Sequence, residues 1–242
     1  MQAIEARSMV KRYQDVTAVD GLTLQIRQGE VFSLLGVNGA GKTTTVKMLS
    51  CLTRPTAGDA FVGGYSVTTQ TEQVKRLIAV SPQETAVAPN LTVKENLALI
   101  CGIHGYPGKE RDARIDALTA RLGLSSVLHR KAGKLSGGWQ RRVSIAMALI
   151  SEPRILFLDE PTLGLDVLAR QELWDTIRGL KGKITIVLTT HYMEEAEALS
   201  DRVGIMKNGR LLAVGTAEEL IGQTGAKDLA AAFVSIVRED AP

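Results

Sequence analysis

The first sixty residues alternate between apolar and polar positions in the manner of β-strands. Apolar residues recur at every second position over 22–26, and an apolar run occupies 30–35, so both stretches are predicted to be strands. The segment 57–59, Ala-Gly-Asp, carries a turn signal and predicts a break before another short strand over 60–62. These elements predict a small antiparallel β layer near the N-terminus.

Two continuous apolar runs at 154–158 and 184–190 predict strands of a different kind. Each follows helical material and precedes polar residues, which is typical of buried parallel strands in α/β proteins. Between the two runs, Leu173, Ile177 and Leu180 recur at helical spacing. The chain is therefore predicted to be an α/β protein with a mixed, mainly parallel sheet.

The stretch from 92 to 150 has no strand-like run and is predicted to form an inserted helical lobe. Near its end, Val143, Ala146, Met147 and Ile150 follow the i, i+3, i+4, i+7 pattern of one helix face.

Asn208 and Gly209 lie between two apolar runs, which is a strong signal for a hairpin with a type I′ turn. The last twenty residues are predicted to form a terminal helix. Because no repeat and no long linker interrupts the chain, we predict one domain over 1–242. Its predicted parts are a core of 1–91 and 151–220, the helical lobe of about 92–150, and a C-terminal tail of 221–242.

Composition narrows the classes of function. The 242 residues are 45% hydrophobic and 23% charged, as in an ordinary globular protein. The formal net charge of +3 is small, and Lys and Arg are dispersed among Asp and Glu. Because nucleic-acid binding favours clustered basic residues, no nucleic-acid partner is indicated.

Cysteine usage and the absence of targeting signals suggest a cytoplasmic protein. Cys51 and Cys101 are far apart, with no CxxC spacing, so neither a zinc site nor a disulfide framework is indicated, and both are expected to be buried. The first eleven residues lack the apolar run of a signal peptide. No stretch approaches the ~20 apolar residues that cross a bilayer. If the protein serves a membrane, another chain is expected to span it.

The sequence GVNGAGKT at 36–43 fits the pattern G-x-x-x-x-G-K-[ST], after an apolar strand and before a predicted helix over 44–50. Glycines let such a loop turn its backbone N–H groups inward, and with the helix N-terminus they form a nest for phosphate oxygens. Lys42 would reach the β- and γ-phosphates and the Thr43 hydroxyl would ligate Mg²⁺. The alternative is a glycine-rich turn without a ligand; a dinucleotide site is disfavoured because G-x-G-x-x-G is absent. The residues expected to contact nucleotide here are Gly36, Asn38, Gly39, Ala40, Gly41, Lys42, Thr43 and Thr44.

The segment RILFLDE at 154–160 is an apolar strand that ends in two acids, where α/β folds bind their ligands. Asp159 would hold Mg²⁺ through water, and Glu160 would polarise the water that attacks the γ-phosphate. Taken alone, the two acids could equally cap the next helix. The segment LSGGWQ at 135–140 places Ser136, Gly137 and Gly138 at a helix N-terminus, which makes it either a second anion-binding end or an ordinary helix cap.

These motifs resemble, in order, those of the nucleotide-binding subunits of ATP-binding cassette (ABC) transporters, and the resemblance spans nearly the whole chain. It implies a P-loop NTPase core that binds ATP and Mg²⁺. It also implies that LSGGWQ is the family signature, which closes on ATP held by an opposing subunit, so that two ATP molecules are sandwiched in a head-to-tail dimer of identical or closely similar chains. The residues to which the resemblance assigns roles across that interface are Ser136, Gly137, Gly138 and, in LGLD, Asp166.

The resemblance gives three further residues a role in the site. His191 matches the histidine that contacts the γ-phosphate and positions the attacking water, and Gln83 matches the glutamine that senses Mg²⁺ and couples the site to the membrane partner. Tyr13 matches the aromatic residue that stacks on adenine. Read from sequence alone, His191 could be a cap at a strand end, Gln83 an ordinary loop residue and Tyr13 a packing residue.

Two positions depart from the family pattern. Trp139 stands where a glutamine is usual in the signature, and Leu163 stands where a small residue often precedes Gly-Leu-Asp. Neither departure removes a phosphate-contacting group, so ATP binding is expected and the rate of hydrolysis is the property they put in doubt.

The segment 43–67 resembles the cassettes of separate-subunit exporters for drugs, lipids or polysaccharides, and the chain is expected to end before the regulatory domain of many sugar importers. This implies an ATPase on the cytoplasmic side of the cell membrane, peripheral to a separate transmembrane permease. The alternatives are a soluble family member acting on the ribosome or DNA, although the chain has neither a tandem cassette nor a coiled-coil insertion, and a small-molecule kinase, which would not require LSGGWQ.

Overall fold

A computed structural model describes residues 1–239 of the chain. The described strands are β1 (Gln2–Tyr13), β2 (Val16–Arg27), β3 (Val31–Leu35), β4 (Ala57–Val62), β5 (Tyr65–Ser66), β6 (Ile78–Ser81), β7 (Ile155–Asp159), β8 (Thr185–Thr190), β9 (Arg202–Lys207) and β10 (Arg210–Gly215). The described α-helices are α1 (Lys42–Leu49), α2 (Thr71–Lys75), α3 (Val93–Ile103), α4 (Gly108–Arg121), α5 (Gly137–Leu149), α6 (Val167–Arg178), α7 (Met193–Leu199), α8 (Ala217–Thr224) and α9 (Leu229–Glu239).

The first sheet is antiparallel, with strand order β2-β1-β4-β5. It confirms the predicted N-terminal layer, and alternate residues of β2 are buried as the pattern required. The predicted break at 57–59 is wrong, because all three residues lie within β4. Gly58 has a φ of 74° and lies beside a register shift in β1, so the glycine marks a bulge inside the strand. A Cβ at Gly58 would come within 2.2 Å of the Ser8 carbonyl oxygen.

The second sheet has the order β10-β9-β3-β8-β7-β6, and its strand pairs are parallel except for β9 with β10. The mixed, mainly parallel sheet is thus confirmed. The neighbouring strands β3, β8 and β7 run in the same direction, so their carboxyl ends meet at one edge. This edge gathers the segments that begin at Gly36, Glu160 and His191.

The described elements between residues 93 and 149 are helical, as predicted. Helix α3 begins with a capping box, in which Thr92 and Glu95 bond each other's backbone N–H groups. The buried face of α5 includes Val143, Ala146 and Met147, and it belongs to an apolar core shared with β7 and β8. The lobe therefore packs directly on the sheet that carries the acids.

The hairpin prediction is confirmed, since Asn208 and Gly209 join β9 to β10 with φ angles of 48° and 79°. Helices α8 and α9 cover much of the predicted C-terminal tail, of which 240–242 lie outside the described residues. Within residues 1–239, no single helix has both the length and the apolar character to cross a bilayer. Only α8 and α9 taken together pass such a test, and a 58° bend separates them.

The expectation for the cysteines is half right. Cys101 is buried, but Cys51 is only partly buried and has a φ of 60° just after α1. Leu180 shared a helical spacing with Leu173 and Ile177, but it lies outside the helix, because α6 ends at Arg178. Leu180 itself is buried.

Candidate functional site

A cavity of about 700 Å³ opens at the edge where β3, β7 and β8 end. Two continuous stretches line it, the loop and first helical turn 38–44 and the β2 residues 16–18. The other lining residues are Gln83, Glu160, Leu163, His191 and Asn208.

The loop before α1 is held in its shape by glycines and by the neighbouring strands. Gly39 and Gly41 have φ angles of 81° and 101°, which L side chains rarely adopt. A Cβ on Gly41 would meet the Ala18 carbonyl oxygen at 2.5 Å. Gly209 of the hairpin donates its N–H to the Ala40 carbonyl at 3.0 Å, and its own carbonyl accepts from Asp20 at 2.9 Å. Because the first N–H groups of a helix lack intrahelical partners, this loop and the start of α1 form a cradle suited to phosphate.

Lys42 is almost fully buried, with 4% of its surface exposed. Its Nζ donates to the carbonyl oxygens of Gly36 at 2.7 Å and Val37 at 3.2 Å, and it lies 3.5 Å from Glu160 Oε1. Burial lowers the pKa of Lys42, and the Glu160 carboxylate opposes that shift. The ammonium group is therefore fixed between the loop and the acid.

Asp159 joins α1 to β8 through two hydroxyl groups. Its Oδ1 accepts from Thr43 Oγ1 at 3.0 Å and from Thr189 Oγ1 at 2.5 Å. Hydroxyl and carboxylate oxygens are ligands that Mg²⁺ prefers, and Gln83 lines the same cavity. The donor set therefore fits Mg²⁺, with Thr43, Asp159 and Gln83 as the residues that would hold it.

Glu160 lies between a lysine and a histidine. Its Oε1 faces Lys42, and its Oε2 is 3.3 Å from His191 Nδ1, although within residues 1–239 this buried Nδ1 makes no hydrogen bond of acceptable geometry. Glu160 has a φ of 44°, a strained conformation for a residue with a side chain. Its backbone N–H donates to Thr189 Oγ1 at 2.9 Å, so the strained residue is held by the neighbouring strand.

The signature residues lie away from this cavity. Ser136 and Gly137 are exposed at the start of α5, while Gly138 is buried and packs closely against α6, where a Cβ would meet Ala169 Cβ at 2.8 Å. Asp166 begins α6 as its N-cap and accepts from the Ala169 N–H at 2.9 Å. The two segments therefore adjoin each other and leave the start of α5 open to solvent.

Tyr13 also lies outside the cavity lining. Its side chain is 45% exposed, and Lys11 Nζ lies 4.8 Å from its ring centre. Its stacking on adenine stays a prediction. The lining residues of β2 that lie nearest in sequence, 16–18, were not predicted.

Sequence reasoning missed two residues that contact the acids. Thr189 bonds both Asp159 and Glu160, and Arg141 donates to their carbonyl oxygens. Thr189 carried only a weak signal, its place at the end of the apolar strand beside polar residues. Arg141 carried no signal, because its partners are backbone atoms distant in sequence.

The chain is similar to known proteins over most of its length. A family model described as "ABC transporter" matches residues 19–163. The chain is 43% identical over 224 residues to the daunorubicin resistance ATP-binding protein DrrA3 of Streptomyces coeruleorubidus, an alignment that covers 92% of this chain and 71% of that one. It is 42% identical over 220 residues to the Nod factor export ATP-binding protein I of Burkholderia thailandensis, covering 90% and 72% of the two chains.

Solved structures give the same picture. The ATP-binding subunit of an ABC transporter superposes with a TM-score of 0.84 at 30% identity, covering 97% of this chain and 99% of that one. A dimeric ATP-binding cassette in a post-hydrolysis state, bound to ADP and Pi, superposes with a TM-score of 0.78 at 27% identity and covers 88% and 98% of the two chains.

Proposed function

Because this chain belongs to the ABC transporter family, we propose that it hydrolyses ATP to power export through a separate membrane-spanning subunit. Its relatives include ATP-binding proteins of drug resistance and of Nod factor export.

The observation that carries the ATPase assignment is the position of Glu160. Its carboxylate lies beside the phosphate cradle, between Lys42 and His191. In the proposed reaction a water molecule attacks the γ-phosphorus, the bond to the ADP oxygen breaks, and Glu160 draws the proton from the water. His191 would orient that water, and Lys42 would neutralise negative charge on the β- and γ-phosphates.

Thr43, Asp159 and Gln83 are the residues that would hold Mg²⁺. When bound there, Mg²⁺ would neutralise charge on the phosphate oxygens and so favour departure of ADP.

The exposed signature supports a site completed by a second subunit. Ser136 and Gly137 face solvent, and their helix N-terminus attracts negative charge, yet they do not line the cavity of their own chain. Opposed head to tail, two copies or close homologues would each present this end to the other's ATP. The related dimer bound to ADP and Pi is consistent with such an assembly.

Helix α3 and the loop after Gln83 are the proposed link to the membrane subunit. Leu99 and Ile103 are 50% and 72% exposed and lie one turn apart on α3. The buried Asn96 on this helix accepts from Ala88 N–H at 2.7 Å and donates to its carbonyl at 3.2 Å, which ties the loop to the helix. The proposed subunit consists of a core of 1–91 and 151–220, a helical lobe of about 92–150 and a C-terminal tail of 221–242. It would be peripheral to the membrane, on the cytoplasmic side.

The substitution Glu160→Gln tests the ATPase assignment. It should reduce ATP turnover by about 100-fold or more, because general base catalysis contributes that order of rate, while ATP affinity is retained and an ATP-bound dimer accumulates. Phosphate release, fluorescent ATP binding and size-exclusion chromatography measure the three effects.

Glu194→Gln is the matched control, since Glu194 is an acid near the site whose side chain is 82% exposed. It should hydrolyse ATP at the wild-type rate. Normal turnover by Glu160→Gln would contradict the assignment of Glu160.

A further inference from the structure

Arg141 is a buried arginine whose guanidinium group donates to four backbone carbonyls. It lies in α5 and is 4% exposed. Its Nε donates to the Pro161 oxygen at 2.7 Å, and its Nη2 donates to the oxygens of Asp159 at 2.9 Å and Glu160 at 2.7 Å. Its Nη1 donates to the carbonyl of Pro82, which directly precedes Gln83. One side chain thus joins helix α5 to the segment 159–161 and to Pro82. The segment 159–161 carries residues of the proposed site, and Pro82 lies next to one.

Burying this charge is costly, and the surroundings offset the cost only in part. Burial lowers the pKa of Arg141 to about 10, while Asp159, Glu195 and Glu160 favour its charged form. A lysine could not replace these contacts, because its donors radiate from one nitrogen whereas the guanidinium group presents a planar fork. Within residues 1–239 the hydrogen-bond partners of Arg141 are all backbone atoms, so the side chain fixes the positions of those atoms.

The most informative of these contacts is the one to Glu160. The backbone of Glu160 is strained at a φ of 44°, and its N–H is held by Thr189 on one side. Its carbonyl is held by Arg141 on the other side. Such a conformation persists only where its surroundings enforce it. Without Arg141, the residue would be free to relax and its carboxylate to leave the place between Lys42 and His191.

Arg141 also lies one helical turn beyond Ser136 and Gly137. A helix is stiff over this distance, and Ser144 in the next turn contacts Ser81 at 3.0 Å, which ties α5 to the end of β6. A displacement of the exposed start of α5 would therefore be carried to the backbone of Glu160 and to the loop of Gln83.

We propose that Arg141 is a positioning residue that couples the signature segment to the Glu160 carboxylate and the Gln83 loop. The inference rests on the proposed function, since it concerns the geometry of ATP hydrolysis. It assigns Arg141 no contact with ATP; the residue acts through the backbone of the residues that make such contacts.

The test compares Arg141→Lys and Arg141→Gln with the wild type. Both should lower kcat for ATP by about 10-fold or more, the effect of a small loss of transition-state stabilisation, whereas KM and the Kd of fluorescent trinitrophenyl-ATP should change less than about twofold. Backbone amide hydrogen exchange in 159–163 should become faster in the nucleotide-free variants. A merely structural role would instead lower the melting temperature and the ATP affinity together, with kcat per folded chain unchanged.

Arg114→Lys is the control, because Arg114 is another multiply bonded arginine of the helical lobe, paired with Glu110 and Glu152. It should keep wild-type kcat and wild-type exchange in 159–163. Unchanged kcat in both Arg141 variants, with an active wild type, would overturn the inference alone. Absence of ATP turnover by the wild-type chain would overturn the proposed function and the role of Arg141 with it.

Discussion

Several buried charged residues lie close together at this site. Lys42, Arg141, Asp159 and Glu160 are all less than a tenth exposed, and Glu195 on α7 is fully buried. Removing charges from water is costly, so holding these groups in place lowers the stability of the fold. Buried charged groups of this kind are typical of sites that perform chemistry.

The cost of burying the Glu195 carboxylate should depend on pH. Its Oε1 accepts from Trp174 Nε1 at 3.2 Å, but within residues 1–239 its Oε2 has no hydrogen-bond partner. Burial raises its pKa above the ordinary value of 4.5, although the side chains of Thr190, Thr162 and Trp174 and then the charge of Arg141 oppose the shift. The folded state therefore holds this proton more tightly than the unfolded state. Its contribution to stability is complete below pH 4.5 and is lost as the pH rises through the folded pKa.

Glu195→Gln should accordingly be more stable than the wild type at pH 8, and the difference should shrink towards pH 5. Each kcal/mol would raise the melting temperature by about 2–4 °C for a chain of this size. Thermal unfolding followed by circular dichroism across this range measures the difference. Glu197→Gln, an exposed acid on the same helix, should show no such trend, and a gain for Glu195→Gln that grows towards acid pH would contradict the reasoning.

At the residue scale, the sequence motifs were enough to predict that Lys42, Thr43, Asp159 and Glu160 belong to one site. Each lies in a motif whose flanking strand or helix could be read directly, and the structure places all four at one edge of the sheet. Thr189 could not be found in this way, because a threonine in an apolar strand is most often a strand former. Its role depends on the pairing of β7 with β8, which sequence does not specify.

Among the elements, α3 is notable for an apolar face that its own chain leaves exposed. Val93, Leu97 and Cys101 are buried on one side, while Leu99 and Ile103 face solvent on the other. Isolated exposed apolar residues are common on protein surfaces, but two in adjacent turns, on a helix tied to the Gln83 loop, fit a contact with a partner.

Leu99→Glu should weaken the association with the membrane subunit without changing ATP binding by the isolated chain. Burying an unpaired carboxylate in an apolar interface is costly, so we expect recovery of the subunit to fall by about 10-fold or more. Affinity purification of the tagged chain from detergent-solubilised membranes, with mass spectrometry, measures this recovery.

Val234→Glu is the control, since Val234 is a 42% exposed apolar residue on α9. It should co-purify the same polytopic protein as the wild type. Equal recovery with Leu99→Glu would contradict the role of α3, and exclusive recovery of ribosomal or DNA-bound partners by the wild type would contradict the transport function.

Elements with a strong local signal were predictable, and elements defined by their partners were not. The hairpin at Asn208 and Gly209 followed from two residues that favour positive φ. The segment 57–59 has the composition of a turn, but pairing with β1 keeps it in a strand, so tertiary contacts overrode local preference. Within residues 1–239, the four-residue strand β6 pairs with β7 alone, and its short apolar run over 77–80 is a strand signal that the prediction overlooked.

For the whole molecule, the proposed function makes the phosphate cradle and the signature two half-sites on one chain. Lys42 lines the cavity, whereas Gly137 is exposed at the start of α5 and does not. If the halves belong to the same functional site, they must come from different copies. A two-fold arrangement would then give two composite sites per dimer.

A mixture of two inactive variants tests this arrangement. Lys42→Ala removes the phosphate-binding ammonium, and Gly137→Asp places a negative charge at the signature. A Cβ at Gly137 would lie 3.5 Å from Leu165 Cδ2, an ordinary contact, so the variant should fold. In a mixed dimer one site keeps both intact halves, so an equimolar mixture should recover roughly a quarter of wild-type turnover if the chains pair at random.

Phosphate release from each variant alone and from the mixture measures the recovery. Lys47→Ala, at an exposed lysine on α1, should remain active alone. A mixture no more active than its components would contradict a composite site.

The hydrogen bond from the hairpin turn to the phosphate loop can form only after most of the chain has been translated. The loop is synthesised early, but its Ala40 carbonyl is bonded by Gly209, which is translated much later. While the chain is being made on the ribosome, the loop is present without this support. The loop therefore gains its full set of backbone contacts only after the hairpin has been made.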